Sequence, residues 1–272
     1  MIRLLHASDL HFGKPSVPAQ IEALEAFARA GAWDAIVVSG DLSQRTRTRE
    51  FLRARAFLDR MRALAPLLVI PGNHDVAWWM APMGLGSTEA MYTRYRRYIS
   101  EELEPVLQCP GLTIAGVNSS HGIRPFTLTT RPRDLSVVGA VRPSQWARAR
   151  ERFAAAGDDC KVLVLHHNLL RGHLSNRWGL SARARGIDEA AATGADLVLC
   201  GHDHEEQVAQ VEAGGRRFVV STASTLTTRV RGHRPASFNV IEVEADAVRM
   251  TVMAWSGARR DFEAGATSRF PR

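Results

Sequence analysis

Five short apolar runs end in the same kind of chemistry. Ile2 to Ala7 leads into Ser8-Asp9-Leu10-His11, and Ala35 to Ser39 leads into Gly40-Asp41. Leu67 to Ile70 leads, after Pro71, into Gly72-Asn73-His74-Asp75. Val162 to Leu165 runs into His166-His167, and Asp196 to Cys200 runs into Gly201-His202-Asp203-His204. Each run is short and rich in Val, Ile and Leu, which is the pattern of a strand buried on both faces. Helical spacing separates several of them: Ile21 to Arg29, Arg49 to Leu64, Ser144 to Ala156 and Asp188 to Thr193. This alternation predicts parallel strands covered by helices on both faces. The carboxyl ends of such strands share one edge, where ligands bind. Six of the ten histidines fall in these five loops.

The donors gathered there are carboxylate, imidazole and amide oxygen. Asp-x-His and His-x-His place two side chains on one side of the chain. Glycine before Asp41, Asn73 and His202 allows tight turns and close backbone approach. The three cysteines, Cys109, Cys160 and Cys200, form no CxxC pair, so a thiolate site and a disulfide scaffold are excluded. The remaining set suits Mn, Fe or Zn. It is too large for one ion and suits two that share a carboxylate. A single Asp-x-His or Gly-Asn-His means little; five such loops after five buried strands do not arise by chance.

In this order the motifs resemble those of the calcineurin-like metallophosphoesterase superfamily, over residues 2 to about 255. The resemblance implies an α/β fold: a four-layer αββα sandwich with two central mixed β-sheets flanked by helices. It implies two divalent or trivalent metal ions. By resemblance, Asp9, His11, Asp41 and His204 hold the first, and Asp41, Asn73, His166 and His202 hold the second, with Asp41 bridging. His74 matches the histidine that protonates the leaving group, and Asp75 beside it is grouped with the catalytic residues as an orienting carboxylate. His167 is expected to back a ligand or contact phosphate. The implied reaction is hydrolysis of a phosphodiester by a metal-bridging hydroxide. Two divalent ions, two aspartates and a hydroxide leave about one spare positive charge, which a diester neutralises.

Within the superfamily, protein phosphatases carry an Asp three residues after the bridging one; here that place is Gln44. Lipid-A-pathway hydrolases typically carry Arg where His74 stands. Repair nucleases usually add a capping domain after the last histidine motif. The chain is most similar to the small bacterial phosphodiesterases that act on cyclic nucleotides and glycerophosphodiesters. A nuclease or a phosphomonoesterase is the alternative, and a non-catalytic scaffold is a weaker one.

The expected layout is one domain, 1–272, with a helical insertion at 76–110 and a peripheral, aperiodic tail at 256–272. Pro125 to Val141 reads as loop and hairpin. In the insertion Tyr92, Tyr95 and Tyr98 interleave with Arg94, Arg96 and Arg97. Tyr95 is thus a candidate substrate contact, although the same spacing fits a helix packing through its tyrosines. Trp78-Trp79-Met80 is a candidate homodimer contact, pocket wall or membrane-surface patch, with burial in the insertion's own small core the favoured reading. The loop 168–186 adds Arg177 as a second candidate at the rim, and Ser119 to Pro132 adds His121 and Arg124. The net charge of +7 admits nucleic acid as a partner, but arginines scattered over helices favour a compositional origin. The favoured partner is a small phosphoester substrate. No run approaches membrane-spanning length. With no signal sequence at the start, the expected location is cytoplasmic.

Overall fold

A computed structural model describes residues 1–128, 137–181 and 183–272. The chain opens with β1 (Ile2–Ala7), α1 (Pro18–Ala30), β2 (Ala35–Val38), α2 (Thr48–Arg62) and β3 (Leu67–Val69). It continues with α3 (Thr93–Tyr98), β4 (Val106–Cys109), β5 (Leu112–Val117), α4 (Pro143–Ala154) and β6 (Cys160–Leu165). Then come α5 (Arg183–Thr193), β7 (Leu197–Cys200), β8 (Gln207–Ala213) and β9 (Arg216–Thr222). The last elements are β10 (Ser237–Val243), β11 (Ala247–Ser256) and β12 (Asp261–Pro271).

These strands form two six-stranded mixed sheets, ordered β12-β11-β10-β1-β2-β3 and β4-β5-β6-β7-β9-β8. The runs that looked like one parallel sheet divide between them. β1, β2 and β3 are parallel in the first sheet, and β5, β6, β7 and β9 are parallel in the second. Alternate residues of one strand serve two cores, because side chains point to opposite faces in turn. Leu4, Val37, Leu68, Val162 and Leu199 fill the layer between the sheets. Leu5, Ile36 and Val38 face outward and meet Leu24, Phe51, Phe57 and Met61 of α1 and α2. Leu163, Leu165 and Val198 face the other way, onto Trp146, Ala149 and Phe153 of α4 and Ala190 of α5. The result is the four-layer helix–sheet–sheet–helix arrangement that the resemblance implied.

Three expectations need correction or limits. The insertion 76–110 is not mainly helical: only α3, six residues long, is α-helix. Pro82, Gly84 and Gly86 break the periodicity, and the rest is single 3-10 turns followed by edge strand β4. Of the expected loop and hairpin at Pro125 to Val141, residues 129–136 lie outside the described residues. The segment 256–272 is not an aperiodic tail. It contributes β12, which pairs antiparallel with β11 along almost its whole length. As an edge strand it covers only one face, so few of its residues are apolar. Phe262 is one of them and is nearly buried, with its ring 4.8 Å from Phe238 and 5.3 Å from Trp255. Phe262→Ala should therefore cost about 3 kcal/mol of stability, a buried-aromatic deletion. Urea unfolding checks this: an unchanged midpoint would mean that the segment contributes no core.

Candidate metal centre

The site lies where the loops after β1, β2, β3, β6 and β7 meet. Backbone bonds stitch these loops together: Asp9 N–H donates to Gly40 O (3.1 Å), His11 N–H to Asp41 O (2.9 Å) and Gly201 N–H to His166 O (2.8 Å). Asp9 Oδ2 accepts the N–H of His202 at 2.8 Å, tying the first loop to the last. Asp9, His11, Asp41, His202 and His204 all sit at positive φ, between 41° and 76°. Such a conformation costs a non-glycine residue on the order of 1–3 kcal/mol, and it clusters at functional sites. Gly40 has φ 101°, and a Cβ there would press on the Gly72 backbone and the His166 ring. A Cβ at Gly72 would collide with the Asp41 carboxylate. Both glycines are there so that the loops can close on Asp41.

Four donors converge on one point. His204 Nε2 lies 3.1 Å from Asp9 Oδ1 and 3.0 Å from His11 Nε2. His11 Nε2 lies 3.6 Å from Asp9 Oδ1 and 3.5 Å from Asp41 Oδ2. All four residues are buried, and the donor atoms lie within 4.8 Å of one another. A second group shares Asp41 through its other oxygen. Asp41 Oδ1 lies 3.4 Å from His166 Nε2, and Asn73 Oδ1 lies 3.1 Å from His166 Nε2 and 3.0 Å from His202 Nδ1. Ligands at right angles on an ion with bonds of about 2.1 Å stand about 3 Å apart. The spacings match such edges.

The hydrogen bonds behind the rings fix which nitrogen is bare. A carbonyl only accepts, so the ring nitrogen facing it carries the proton. His166 Nδ1–H donates to Ser39 O (2.8 Å), and His204 Nδ1–H donates to Arg229 O (2.9 Å). Both rings therefore point an Nε2 inward, the tautomer that a metal needs. Asp9 Oδ1 is buried without a hydrogen-bond partner, as is His11 Nδ1. An orphaned carboxylate oxygen at the centre of an imidazole cluster is costly unless a cation is bound there.

Electrostatics point the same way. Burial opposes the charge on Asp9 and Asp41, yet the surrounding histidines hold both carboxyls below the usual range. Burial also disfavours a charged His166, but Asp41 and Asp9 raise it to about 9. A metal held by His166 would compete with a proton for that nitrogen. His202 is pushed down to about 3 by burial and by His166.

His74 stands beside the first group, its ring edge-on to His11 at 4.8 Å. Its N–H donates to Asp41 Oδ1 (2.8 Å), and its Nδ1–H donates to the Gln44 carbonyl (2.9 Å). A backbone oxygen of Gln44 thus orients the ring. Gln44, Ser39 and Arg229 act through carbonyls, which any residue possesses, so composition could not reveal them.

Other candidates divide clearly. Asp75 does not face the donor groups. It is fully buried and accepts backbone N–H bonds from Ser43 (2.7 Å), Leu42 and Gly72 (both 3.0 Å). Burial and the Asp41 charge raise it to about 6 despite those three bonds. It positions the loops after β2 and β3 and is not a catalytic group. His167 donates from Nε2–H to Val137 O (2.9 Å) and takes Ser119 Oγ at Nδ1 (2.7 Å), while its ring lies tilted 4.5 Å from His202. Both nitrogens are engaged, so His167 has no ring nitrogen left for the donor groups and packs beside them.

Tyr95 is not a substrate contact. It is fully buried in the core under α2, and its hydroxyl donates to Val69 O (3.3 Å). The packing reading of the Tyr/Arg pattern was the right one at this position. Tyr95→Phe should leave turnover unchanged and lower stability by about 1 kcal/mol, the net worth of one hydrogen bond. A change in KM without a change in melting temperature would restore the substrate role. His121 and Arg124 are likewise buried and bonded to Gln145 and to the His121 carbonyl. Arg177 is exposed on the loop 171–178, which Ser175 ties to Asp203 through a 2.6 Å bond.

A buried cluster of Asp, His and Asn donors at the strand ends of a four-layer α/β sandwich is the arrangement of a metallophosphoesterase. The calcineurin-like phosphoesterase family matches residues 2–206, and the chain belongs to it. GpdQ, a glycerophosphodiester phosphodiesterase of Enterobacter lignolyticus (strain SCF1), is 28% identical over 185 residues, 60% of this chain and 56% of that protein. Purple acid phosphatase PPD1 from yellow lupin seeds superposes with a TM-score of 0.69 at 9% identity, over 100% of this chain and 54% of that one. GAP50, the anchor in the inner membrane complex of Plasmodium, superposes with a TM-score of 0.58 at 13% identity, over 99% and 88%. The two structural similarities show the fold alone. The matches to the first two relatives span just over half of their lengths. Among the described residues no helix is long and apolar enough to cross a membrane.

Proposed function

We propose that the chain is a metal-dependent hydrolase of small phosphodiesters. The observation that carries this is Asp41, whose two oxygens face two separate donor groups, Oδ2 toward His11 and Oδ1 toward His166. One carboxylate shared in this way belongs to a dinuclear site. Asp9, His11, Asp41 and His204 would hold one ion, and Asp41, Asn73, His166 and His202 the other. Mn, Fe or Zn suits these donors. When bound, the ions supply Lewis acidity toward the phosphate and make a hydroxide nucleophile available near neutral pH.

The chain's own residues do the rest. Ser39 and Arg229 hold the imidazoles with bare nitrogens inward. Gln44 holds the His74 ring through its Nδ1–H, so the ring would serve the departing oxygen as an imidazolium, with a second proton on Nε2. Asp75 and His167 keep loops and rings in register. The similarity to GpdQ supports a diester over a monoester. A scaffold would have no use for five ligand candidates held at positive φ.

The test is a chromogenic pair. Mn-loaded protein should bind about two metal equivalents and turn over bis(p-nitrophenyl) phosphate faster than p-nitrophenyl phosphate. Faster turnover of the monoester would make it a phosphomonoesterase. Cleavage of single-stranded DNA without turnover of small diesters would make it a nuclease.

A further inference from the structure

A large basic cavity opens beside the metal centre. Its volume is about 870 Å³, and Lys14, Arg45, Arg47, Arg49, Arg53 and Arg229 line it. The one acidic residue in its wall is Glu50, which is buried and accepts N–H bonds from Arg45 (2.8 Å) and Arg47 (3.3 Å). Its charge is spent on backbone. Farther along α2 the arginines are matched: Arg55 and Arg62 pair with Asp59, and Arg60 pairs with Glu25. Among the described residues no carboxylate lies within 4 Å of the cationic groups of Lys14, Arg45, Arg47, Arg49 or Arg53. Positive charge is thus left unneutralised in one concave place, where low-dielectric walls focus it.

The cavity is joined to the reacting groups. Gln44 lines it and holds His74 from behind, and Arg229 lines it and holds His204. The Arg229 guanidinium in turn bonds Gln44 Oε1 at 3.2 Å. A substrate arm that passes His74 or His204 on its way from the donor groups meets these cations. A simple diester has nothing for them to bind, since its single charge is already met at the centre.

We infer that this cavity is an anionic subsite, and that the preferred substrate is a phosphodiester carrying a second phosphate group. The inference rests on the proposed hydrolase reading and names its substrate class. The second phosphate can come from a nucleotide or from a phosphorylated polyol, and the experiment separates the two.

The nucleotide arm compares the p-nitrophenyl ester of thymidine 5′-monophosphate with the same ester bearing a 3′-phosphate. The polyol arm compares glycerol p-nitrophenyl phosphate with its terminally phosphorylated form. Wild-type protein should show kcat/KM at least about tenfold higher for the phosphorylated member at low salt, falling toward parity as salt screens the exposed cations. A gain in either arm supports the subsite and identifies the source. The variant Lys14→Ala/Arg47→Ala/Arg49→Ala/Arg53→Ala should lose the preference, and the Arg→Lys triple at 47, 49 and 53 should keep most of it. Calorimetry with thymidine 3′,5′-bisphosphate on metal-free protein gives a readout independent of turnover: wild type should bind it more tightly than the neutralised variant. Equal kcat/KM within both pairs overturns the subsite while leaving the hydrolase intact. A preference that survives neutralisation also overturns it. No turnover of any ester removes the hydrolase reading and this inference with it.

Discussion

Asp41→Asn is expected to lower turnover by about a thousandfold and to reduce bound metal below two equivalents. The side chain gives one oxygen to each donor group, Oδ2 at 3.5 Å from His11 Nε2 and Oδ1 at 3.4 Å from His166 Nε2. Asn keeps the shape but removes the only charge common to both groups, and it offers one acceptor oxygen where two are needed. Metal-derived stabilisation of several kcal/mol then falls away, and each 1.36 kcal/mol is a factor of ten in rate. Asn is the informative choice because position 41 has φ 52°, a conformation Asn tolerates well. The backbone should therefore survive the change. Metal analysis, circular dichroism and steady-state kinetics on one preparation check it. Two full metal equivalents with wild-type turnover would show that Asp41 bridges nothing.

His74→Gln should lower kcat by roughly 10²–10⁴-fold, the usual worth of a positioned acid, while both metals stay bound. The ring is not among the converging donors; it stands edge-on to His11, with Nδ1–H tied to the Gln44 carbonyl. Its effect must therefore appear in the departure of the leaving group. A p-nitrophenolate leaves without help, whereas an alkoxide needs the proton. The loss should be large for an alkyl diester and small for a nitrophenyl diester. An equal loss on both, or a loss of metal, would assign His74 a structural role. One source of a structural loss is visible: its N–H bond to Asp41 Oδ1, at 2.8 Å. Because that bond uses the backbone, Gln preserves it.

The sandwich and its site were legible in the sequence to different depths. Strands buried on both faces announce themselves as unbroken Val/Ile/Leu runs, so β1, β2, β6 and β7 were visible. The exposed edges were not. β8 and β12 face solvent on one side and carry mixed residues that obey no buried pattern. Nor did local periodicity reveal two sheets, because β3 and β6 read alike although they belong to different ones. Only the family resemblance supplied that. Tyr95 shows the opposite failure. Tyr and Arg at helical spacing fit both a packed face and a stacking platform, and burial alone separates them.

What the amino-acid order determined by itself is the donor set: which carboxylates, imidazoles and amide end the buried strands. That much is local, because a strand end places the next residues at one edge of a sheet. What only the tertiary structure decided is how those donors are held. The Ser39, Gln44 and Arg229 carbonyls hold the rings, Asp75 binds two loops through three amides, and arginines with no acidic partner among the described residues gather into one cavity. Backbone oxygens carry no residue identity, and ion pairing depends on neighbours distant in sequence. Both therefore exist only once the chain has folded.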